Sequence, residues 1–494
     1  VDKRFGVGAL AAATCLLARL APAADVPTAA LEAGASLRRD LAPGESHRLS
    51  IRLEAGTYLH ASVEQIGIDV ALTIIDPGGK PVASMDTPTG DRGFEEISWV
   101  AVSAGDHVLL VESTDPGGHA GAYEIRTEPL RPTRHEDGNR IRAEALSAEG
   151  HGLAASGDAS EVRKGLAQLT SALALWREAG DRRGEGMTLY GSGRANQVLR
   201  DLTGANRNYT DALVIWRAIG DENEAASTLF SLATAEIAVG RTDEALTHLR
   251  ESLELQRRLG NPVMEAEVLT SLGSVYDVRG EKPEARDAYR LALPLMRDTR
   301  NRVGEMRTLN EIGFLSDFQG EEQEALNAYR EALELSRDLK QPRGEAMVLT
   351  NIGRLYAELG EGEQAAAHLR EALEIRRRLG DPGSEGTVLL YLGDLAMDQG
   401  DSSRALELYS SALPLYERSK NRNKEGWTIN SIGELYLSRR QPLEAVACFD
   451  EALRLSRELH DRYLEGKALT NRGVALGDLG ELAPGAEELR QAVA

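Results

Sequence analysis

The chain has 494 residues, 42% of them hydrophobic, which is ample for a buried core and more than one small domain usually holds. A formal net charge of −21 and a pI near 5.0 oppose attachment to nucleic acid or to an anionic membrane surface, so neither is expected as a partner. Aromatic residues make up only 5%, which fits contacts made by Leu and Ala on helix faces more than bulky residues meeting at one centre.

At the start of the chain, Lys3 and Arg4 precede a mostly apolar run from Phe5 to Ala18, and small residues follow around Ala21, Ala23 and Ala24. This layout predicts an export signal over residues 1–24 and a periplasmic or extracellular location. Arg19 interrupts the apolar end, and the run is short for a membrane span. Thr14 stands before Cys15 where a lipidation site needs a small residue, so no lipid anchor is expected. Processing would leave Cys448 as the single cysteine, without an intramolecular disulfide. Its setting, AVACFDEAL, predicts a buried thiol on an apolar helix face, with nothing nearby to make it a nucleophile.

Residues 26–130 alternate in polarity. The runs 47–53, 70–75 and 107–111 are short and rich in β-branched residues, and turn signals such as Pro43-Gly44, Asp76-Pro77-Gly78-Gly79 and Ala104-Gly105-Asp106 separate them. They predict a small antiparallel β-sandwich. The succession AGTYL, DVALTIIDPGG, AGDHVLLV and GAYEI resembles the bacterial pre-peptidase C-terminal type of sandwich. That resemblance implies an accessory module of exported proteins, some of which bind carbohydrate or protein. Asp69, Asp76 and Asp106 read as turn residues bonding their own backbone and not as a calcium site.

Residues 131–140 are polar and without period, which reads as a hinge. His135-Glu136 has no second His at the spacing a zinc helix needs. From residue 141 the chain repeats every forty residues, with units starting at Asp181, Asp221, Asn261, Asn301, Gln341, Asp381, Asn421 and Asp461 after a divergent first unit at 141–180. In the unit 341–380, Leu349, Ile352, Tyr356 and Leu359, then Ala366, Leu369 and Leu373, recur at helical steps, and Gly360 and Gly380 end the two halves. Each unit is thus a pair of amphipathic helices, A and B, that must stack on its neighbours to bury its apolar faces. The unit starts suit helix caps, the Glu four residues later suits the positive end of helix A, and Arg257, Arg297, Arg337, Arg377 and Arg457 suit the end of helix B. Gly313, Gly353, Gly393 and Gly433 on helix A, and Ala332, Ala372, Ala412 and Ala452 on helix B, mark close crossings filled by Tyr356, Tyr329, Tyr409 and Phe449. Pro294 and Pro414 are expected to interrupt and bend their B helices.

The order Ile352-Gly353, Tyr356, Ala365, Leu369 and Ala372 resembles the tetratricopeptide repeat, and the forty-residue spacing resembles arrays in kinesin light chains and upstream of bacterial CHAT domains, which are caspase-like peptidases. The fold class expected is mainly α: an α-α superhelical solenoid of about nine tetratricopeptide units over 141–494, the last incomplete, preceded by the sandwich. The chain's end partway through a helix B suggests a fragment, with Val1 a cut end or an alternative start.

The resemblance implies that helix A lines a concave groove, where Arg307, Asn310, Glu311, Asn351, Arg354, Asn430, Glu434, Lys467 and Asn471 would meet a peptide or protein segment, with Trp427 beside Lys467 in register. Asn can donate and accept at once and so clamp a peptide backbone. Asn351 and Asn471 match the family's groove asparagine; Asn310 and Asn430 lie one residue earlier. The same residues also suit a plain solvent-facing surface. No nucleophile elbow, phosphate loop, metal set or cofactor motif can be assembled, and Gly191-Ser192-Gly193 falls inside a helix. The expectation is a non-catalytic protein-binding scaffold with no cofactor. Two further readings stay open: the regulatory part of a CHAT-type peptidase, and a sandwich that binds glycan or protein with the repeats as spacer.

Overall fold

The computed structural model describes residues 29–86, 92–114 and 120–493; the export-signal layout and Cys15 lie outside them. The chain forms two compact units, residues 1–275 and 276–494.

In the first unit the strands are β1 (Ala29–Ala30), β2 (Ser36–Leu41), β3 (Ser46–Leu53), β4 (Thr57–Ile66), β5 (Val70–Ile75), β6 (Pro81–Met85), β7 (Arg92–Val100), β8 (Gly105–Ser113), β9 (Gly121–Thr127) and β10 (Arg131–Pro132). One sheet runs β1-β3-β8-β5-β6; in the other, β4 pairs with β7, β9 and β10, and β9 with β2. Every pairing is antiparallel except β1 with β3. Leu49, Leu53, Leu72 and Val111 of the first sheet share one core with Leu59, Val63, Ile97 and Ile125 of the second. The three expected strand runs are β3, β5 and β8. β4 and β7 were hidden because their buried residues include His60, Gln65, Glu95 and Ser98, which break the apolar period. Asp76 Oδ1 accepts from the backbone N–H of Gly78 at 2.9 Å and of Lys80 at 2.8 Å, so it holds its own turn.

The stretch expected to be a hinge is structured. Arg131 and Pro132 pair with β4, and helix α1 (His135–Ala154) starts three residues after Pro132. The Arg131 guanidinium forks onto the buried Asp137 carboxylate at 2.7 and 2.8 Å, and Asp137 also accepts the Arg134 N–H at 2.6 Å. Polarity here marks a charge-paired helix start and not freedom of the backbone.

The remaining helices are α2 (Ala159–Ala179), α3 (Arg182–Val198), α4 (Leu202–Ile219), α5 (Glu222–Ala238), α6 (Thr242–Arg258), α7 (Pro262–Val278), α8 (Lys282–Asp298), α9 (Arg302–Phe318), α10 (Glu322–Asp338), α11 (Pro342–Glu358), α12 (Gly362–Leu379), α13 (Pro382–Asp398), α14 (Ser402–Ser419), α15 (Arg422–Ser438), α16 (Pro442–Leu459), α17 (Arg462–Asp478) and α18 (Leu482–Val493). Odd-numbered helices are the A helices and even-numbered ones the B helices, in the expected forty-residue register. From α1 to α6, and again from α8 to α18, each helix packs on the next, as a solenoid requires.

The local chemistry explains the register. Asp181, Asp221, Asn301, Asp381, Asn421 and Asp461 each cap helix A by accepting the N–H three residues on. Helix A meets helix B through a missing side chain: a Cβ on Gly313 would sit 2.7 Å from the Tyr329 ring, one on Gly393 2.4 Å from Tyr409, and one on Gly433 2.5 Å from Phe449. Those rings are buried, each stabilising its pair by roughly 1.5–3 kcal/mol.

α8 and α14 continue as helix on both sides of Pro294 and Pro414, where the missing proline N–H interrupts the ladder without ending the helix. The Arg residues near the ends of the B helices do more than offset the dipole, because they reach the Glu of the next helix A. Arg257 pairs with Glu265 at 2.7 Å, Arg297 with Glu305 at 2.8 Å, Arg337 with Glu345 at 2.8 Å, Arg377 with Glu385 at 2.9 Å and Arg457 with Glu465 at 2.7 Å. The Arg side chains are about half exposed, so each pair contributes about 0–1 kcal/mol and mainly sets how one helix pair meets the next. Cys448 is half-buried and packs against the core of the second unit, and burial pushes its thiol above the ordinary value.

Candidate functional site

The predicted groove residues lie on the A helices of the second unit. Position within the repeat decides whether each side chain points inward or along the face shared by successive A helices. One residue along a helix turns the side chain by about 100°, and that separates the four asparagines. Asn310 and Asn430 are buried, at 3% and 1% exposure, and so are not available to a partner as expected. Asn351 and Asn471, one position further on, are part-buried at the surface.

The buried pair supports the surface pair. Asn351 Nδ2 donates to Asn310 Oδ1 at 2.9 Å, and Asn310 Nδ2 donates to Glu311 at 3.2 Å. Likewise Asn471 Nδ2 donates to Asn430 Oδ1 at 3.3 Å and to Glu434 at 2.7 Å, while Asn430 Nδ2 reaches Glu434 at 3.3 Å. The amide groups of Asn351 and Asn471 are thus engaged, and their Oδ1 atoms have no protein partner among the described residues. Burial pushes the Glu311 carboxyl above its usual range, with the Asp277 charge adding to it.

Arg354, Glu434 and Lys467 are matched within the protein. Arg354 reaches back to the buried carboxylate of Asp317 on α9, pairs with Glu358 at 2.5 Å, and lies 5.9 Å from the Phe314 ring centre. Lys467 pairs with Glu434 at 3.1 Å. Arg307 is exposed, and Trp427 packs its ring against Tyr463, 5.5 Å between centres. The structure therefore brings Asn310, Glu311, Asn351 and Arg354 together across α9 and α11, and Asn430, Glu434, Lys467 and Asn471 together across α15 and α17.

Between these two groups lies a stretch that sequence reasoning missed. α13 places Tyr391, Asp394, Met397 and Asp398 on the same face. Asp394 occupies the register of Arg354 and Glu434, so counting forty residues in either direction would have found it. It accepts the Tyr409 hydroxyl at 2.7 Å, and its pKa is pushed up to about 6, first by burial and then by the charges of Glu434 and Asp398.

The first unit has its own polar cluster, where β4 and β7 meet α1. The Ser98 N–H donates to Glu144 Oε2 at 2.7 Å and its hydroxyl lies 2.6 Å from Oε1; Tyr58 and His60 also reach that hydroxyl, at 2.9 and 3.1 Å. Beside it, a cavity of about 50 Å³ is lined by Phe94, Glu96, Glu144, His151, Trp176 and Arg183. That space suits a few waters and not an organic ligand. Gly191, Ser192 and Gly193 are buried inside α3, where a Cβ on Gly193 would sit 2.5 Å from Tyr209, so they serve helix packing. Among the described residues no three His, Cys, Asp or Glu side chains stand together as metal ligands, and no helix is long and apolar enough to cross a membrane.

Comparison with known proteins bears on the array. Family models described as tetratricopeptide repeat match residues 185–258, 224–298 and 344–418, and related models with the same description match 426–462 and 307–339. No curated protein matches the sequence. Among solved structures, the apo form of the quorum sensor NprR from B. thuringiensis is 14% identical, over 68% of this chain and 99% of its own, with a TM-score of 0.51. A Rap protein complexed with Competence and Sporulation Factor is 16% identical over 69% of this chain and 97% of its own, TM-score 0.45. A signal transduction ATPase with a tetratricopeptide repeat sensor, from Pyrococcus horikoshii, is 14% identical over 74% of this chain and 55% of its own, TM-score 0.48. Through the repeats matched between residues 185 and 462, the chain belongs to the tetratricopeptide-repeat family.

Proposed function

We propose that this protein is a non-catalytic scaffold that holds an extended segment of another protein along the A-helix face of residues 276–494. One observation carries the reading: Asn351 and Asn471 are each held by a buried asparagine one repeat earlier, with the acceptor oxygen left over. A side chain fixed before binding loses little freedom when it bonds a peptide N–H, so the affinity it gives is not spent on ordering. The family's architecture supports the same reading, since repeat arrays present extended surfaces suited to chains. The acidic composition argues for protein over nucleic acid.

The layout of residues 1–24 supports export, and the succession of strand motifs in residues 26–130 supports an accessory sandwich of the pre-peptidase C-terminal type. The test is affinity capture from the native envelope, comparing the wild-type chain with Asn351→Ala and Asn471→Ala combined. Loss of a specific captured protein from a variant that still melts cooperatively is expected; an unchanged capture profile would remove the groove from consideration.

A further inference from the structure

Granted that the A-helix face holds an extended segment, we propose that its α15 and α17 section takes a proline of that segment on the ring pair Trp427 and Tyr463. That proline lies about four residues from the residue whose N–H bonds Asn471. Among the described residues two aromatic rings are exposed, Phe318 at 68% and Tyr463 at 77%. They differ in what lies against them. The Lys282 ammonium sits 5.2 Å from the centre of the Phe318 ring, so that ring already has a cation of the protein. Tyr463 is met by the half-buried Trp427 ring, 5.5 Å between centres and tilted by 33°, and its hydroxyl has no hydrogen-bond partner among the described residues. A large ring held this open gains by being covered, and a ring steadied by a neighbour loses little freedom when that happens.

Continuity with the asparagine cluster says what covers it. Tyr463, Lys467 and Asn471 follow at four-residue steps and so line one face of α17, while Trp427, Asn430 and Glu434 share a face of α15. The two faces touch at each level: ring on ring, Lys467 on Glu434 at 3.1 Å, and Asn471 on Glu434 at 2.7 Å. Glu434 Oε1 takes Lys467, Asn471 and Asn430 together, so charge on this strip is matched within the protein. What is left for a partner is the ring pair and the Asn471 oxygen. They stand eight residues of helix apart, about 12 Å, a distance that about four residues of polyproline II chain cover at ~3.1 Å each. Such a chain is stiff before it binds, and a proline ring lies flat on Trp or Tyr without first being ordered.

A phage-displayed library of random dodecapeptides, selected on the full chain, tests this. The expected outcome is enrichment of proline at one position and exclusion of proline about four residues away, where an N–H is needed. A selected peptide should bind about tenfold more weakly to Tyr463→Ala and keep its affinity for Tyr463→Phe, which retains the ring. Because Tyr463 is exposed, neither substitution opens the core. N-methylation of the residue that bonds Asn471 should weaken the same peptide. Peptides that lack proline, or that are indifferent to Tyr463→Ala, and whose binding depends on Asn351 and Asn471 would overturn the proline site and leave the scaffold reading standing. No selected peptide, or a glycan retained on an array through Tyr463 in place of one, would overturn both.

Discussion

The Asn351 amide on α11 donates to the Asn310 amide on α9 at 2.9 Å, and Asn471 repeats the contact to Asn430, so one asparagine of each pair is part-buried at the surface while the other is buried beneath it. The two members should respond differently to truncation. Asn351→Ala removes a surface acceptor and should weaken peptide binding, and it also leaves the buried Asn310 Oδ1 without its donor, at a cost of about 1 kcal/mol. Asn310→Ala empties a buried polar site and leaves the Asn351 N–H without its acceptor, at a cost on the order of 1–3 kcal/mol. Urea denaturation of the two variants side by side checks this; equal stability would mean that the buried amide is not a support.

How much of this was legible in the sequence depends on what each residue's period revealed. The forty-residue register fixed the helix ends and the Gly393 and Tyr409 crossing, because small and large residues alternate there for steric reasons that recur in each unit. The register placed Asn310 one residue before the position of Asn351 but did not show which of the two would be buried, since Asn suits a polar helix face at either place. Asp394 was passed over because it is one acid among the 78 Asp and Glu residues of the chain. Its burial and its bond to the Tyr409 hydroxyl show only in the structure. In the first unit, the polar residues that bind sheet to helix, His60, Ser98 and Glu144, broke the very alternation by which their strands would have been recognised.

Gly393 meets Tyr409 so closely that a single methyl group tests the crossing. With the Cβ of Gly393→Ala placed 2.4 Å from the ring, either the ring or the helix must move, at a cost of about 1–3 kcal/mol. Tyr409→Leu loses ring contacts and the bond to Asp394 but frees the space, so the double variant should be less destabilised than the two single losses added together. Circular dichroism melts of the four proteins give the coupling energy. Strict additivity would show that the two residues do not limit the approach of α13 to α14.

The turns from helix B to helix A are unevenly adapted. Gly380 sits at φ +64° with open space where a Cβ would go, so Gly380→Ala should cost about 1–2 kcal/mol from backbone conformation alone. Lys340 adopts the same region at φ 52°, as do Arg300, Lys420 and His460 at φ 58°, 56° and 56°. Lys340→Gly should therefore stabilise the second unit by up to about 1 kcal/mol, offset in part by the greater freedom of glycine in the unfolded chain. A raised urea midpoint checks it, and combining all four substitutions should enlarge the effect.

The junction of the sandwich with α1 should give the first unit a stability optimum in mildly acidic solution. Burial raises Glu144 from 4.5 to about 8, with the Ser98 hydrogen bonds and Arg140 opposing and Glu96 reinforcing the rise. A raised carboxyl means that the folded state holds its proton more tightly, so its contribution is full below 4.5 and is lost as pH climbs through 8. His60 and His151 behave in the opposite sense. Burial lowers each from 6.5 to about 4, with Arg140 and Arg131 adding to the fall at His60, Asp181 opposing it, and Arg194 adding to it at His151. Their contribution is full above 6.5 and is lost as pH falls through 4. Above about 7, the value to which burial raises Glu224, the Glu144 slope acts without theirs, and stability of the first unit should fall towards pH 8 with a slope approaching one proton. Glu144→Gln can keep both contacts, accepting the Ser98 N–H and donating to its hydroxyl, while having no proton to lose. Hydrogen exchange of the α1 amides, measured from pH 6 to 8 and corrected for intrinsic rates, should show protection falling in the wild type and level in the variant. A parallel fall in both would assign the alkaline limb to some other group.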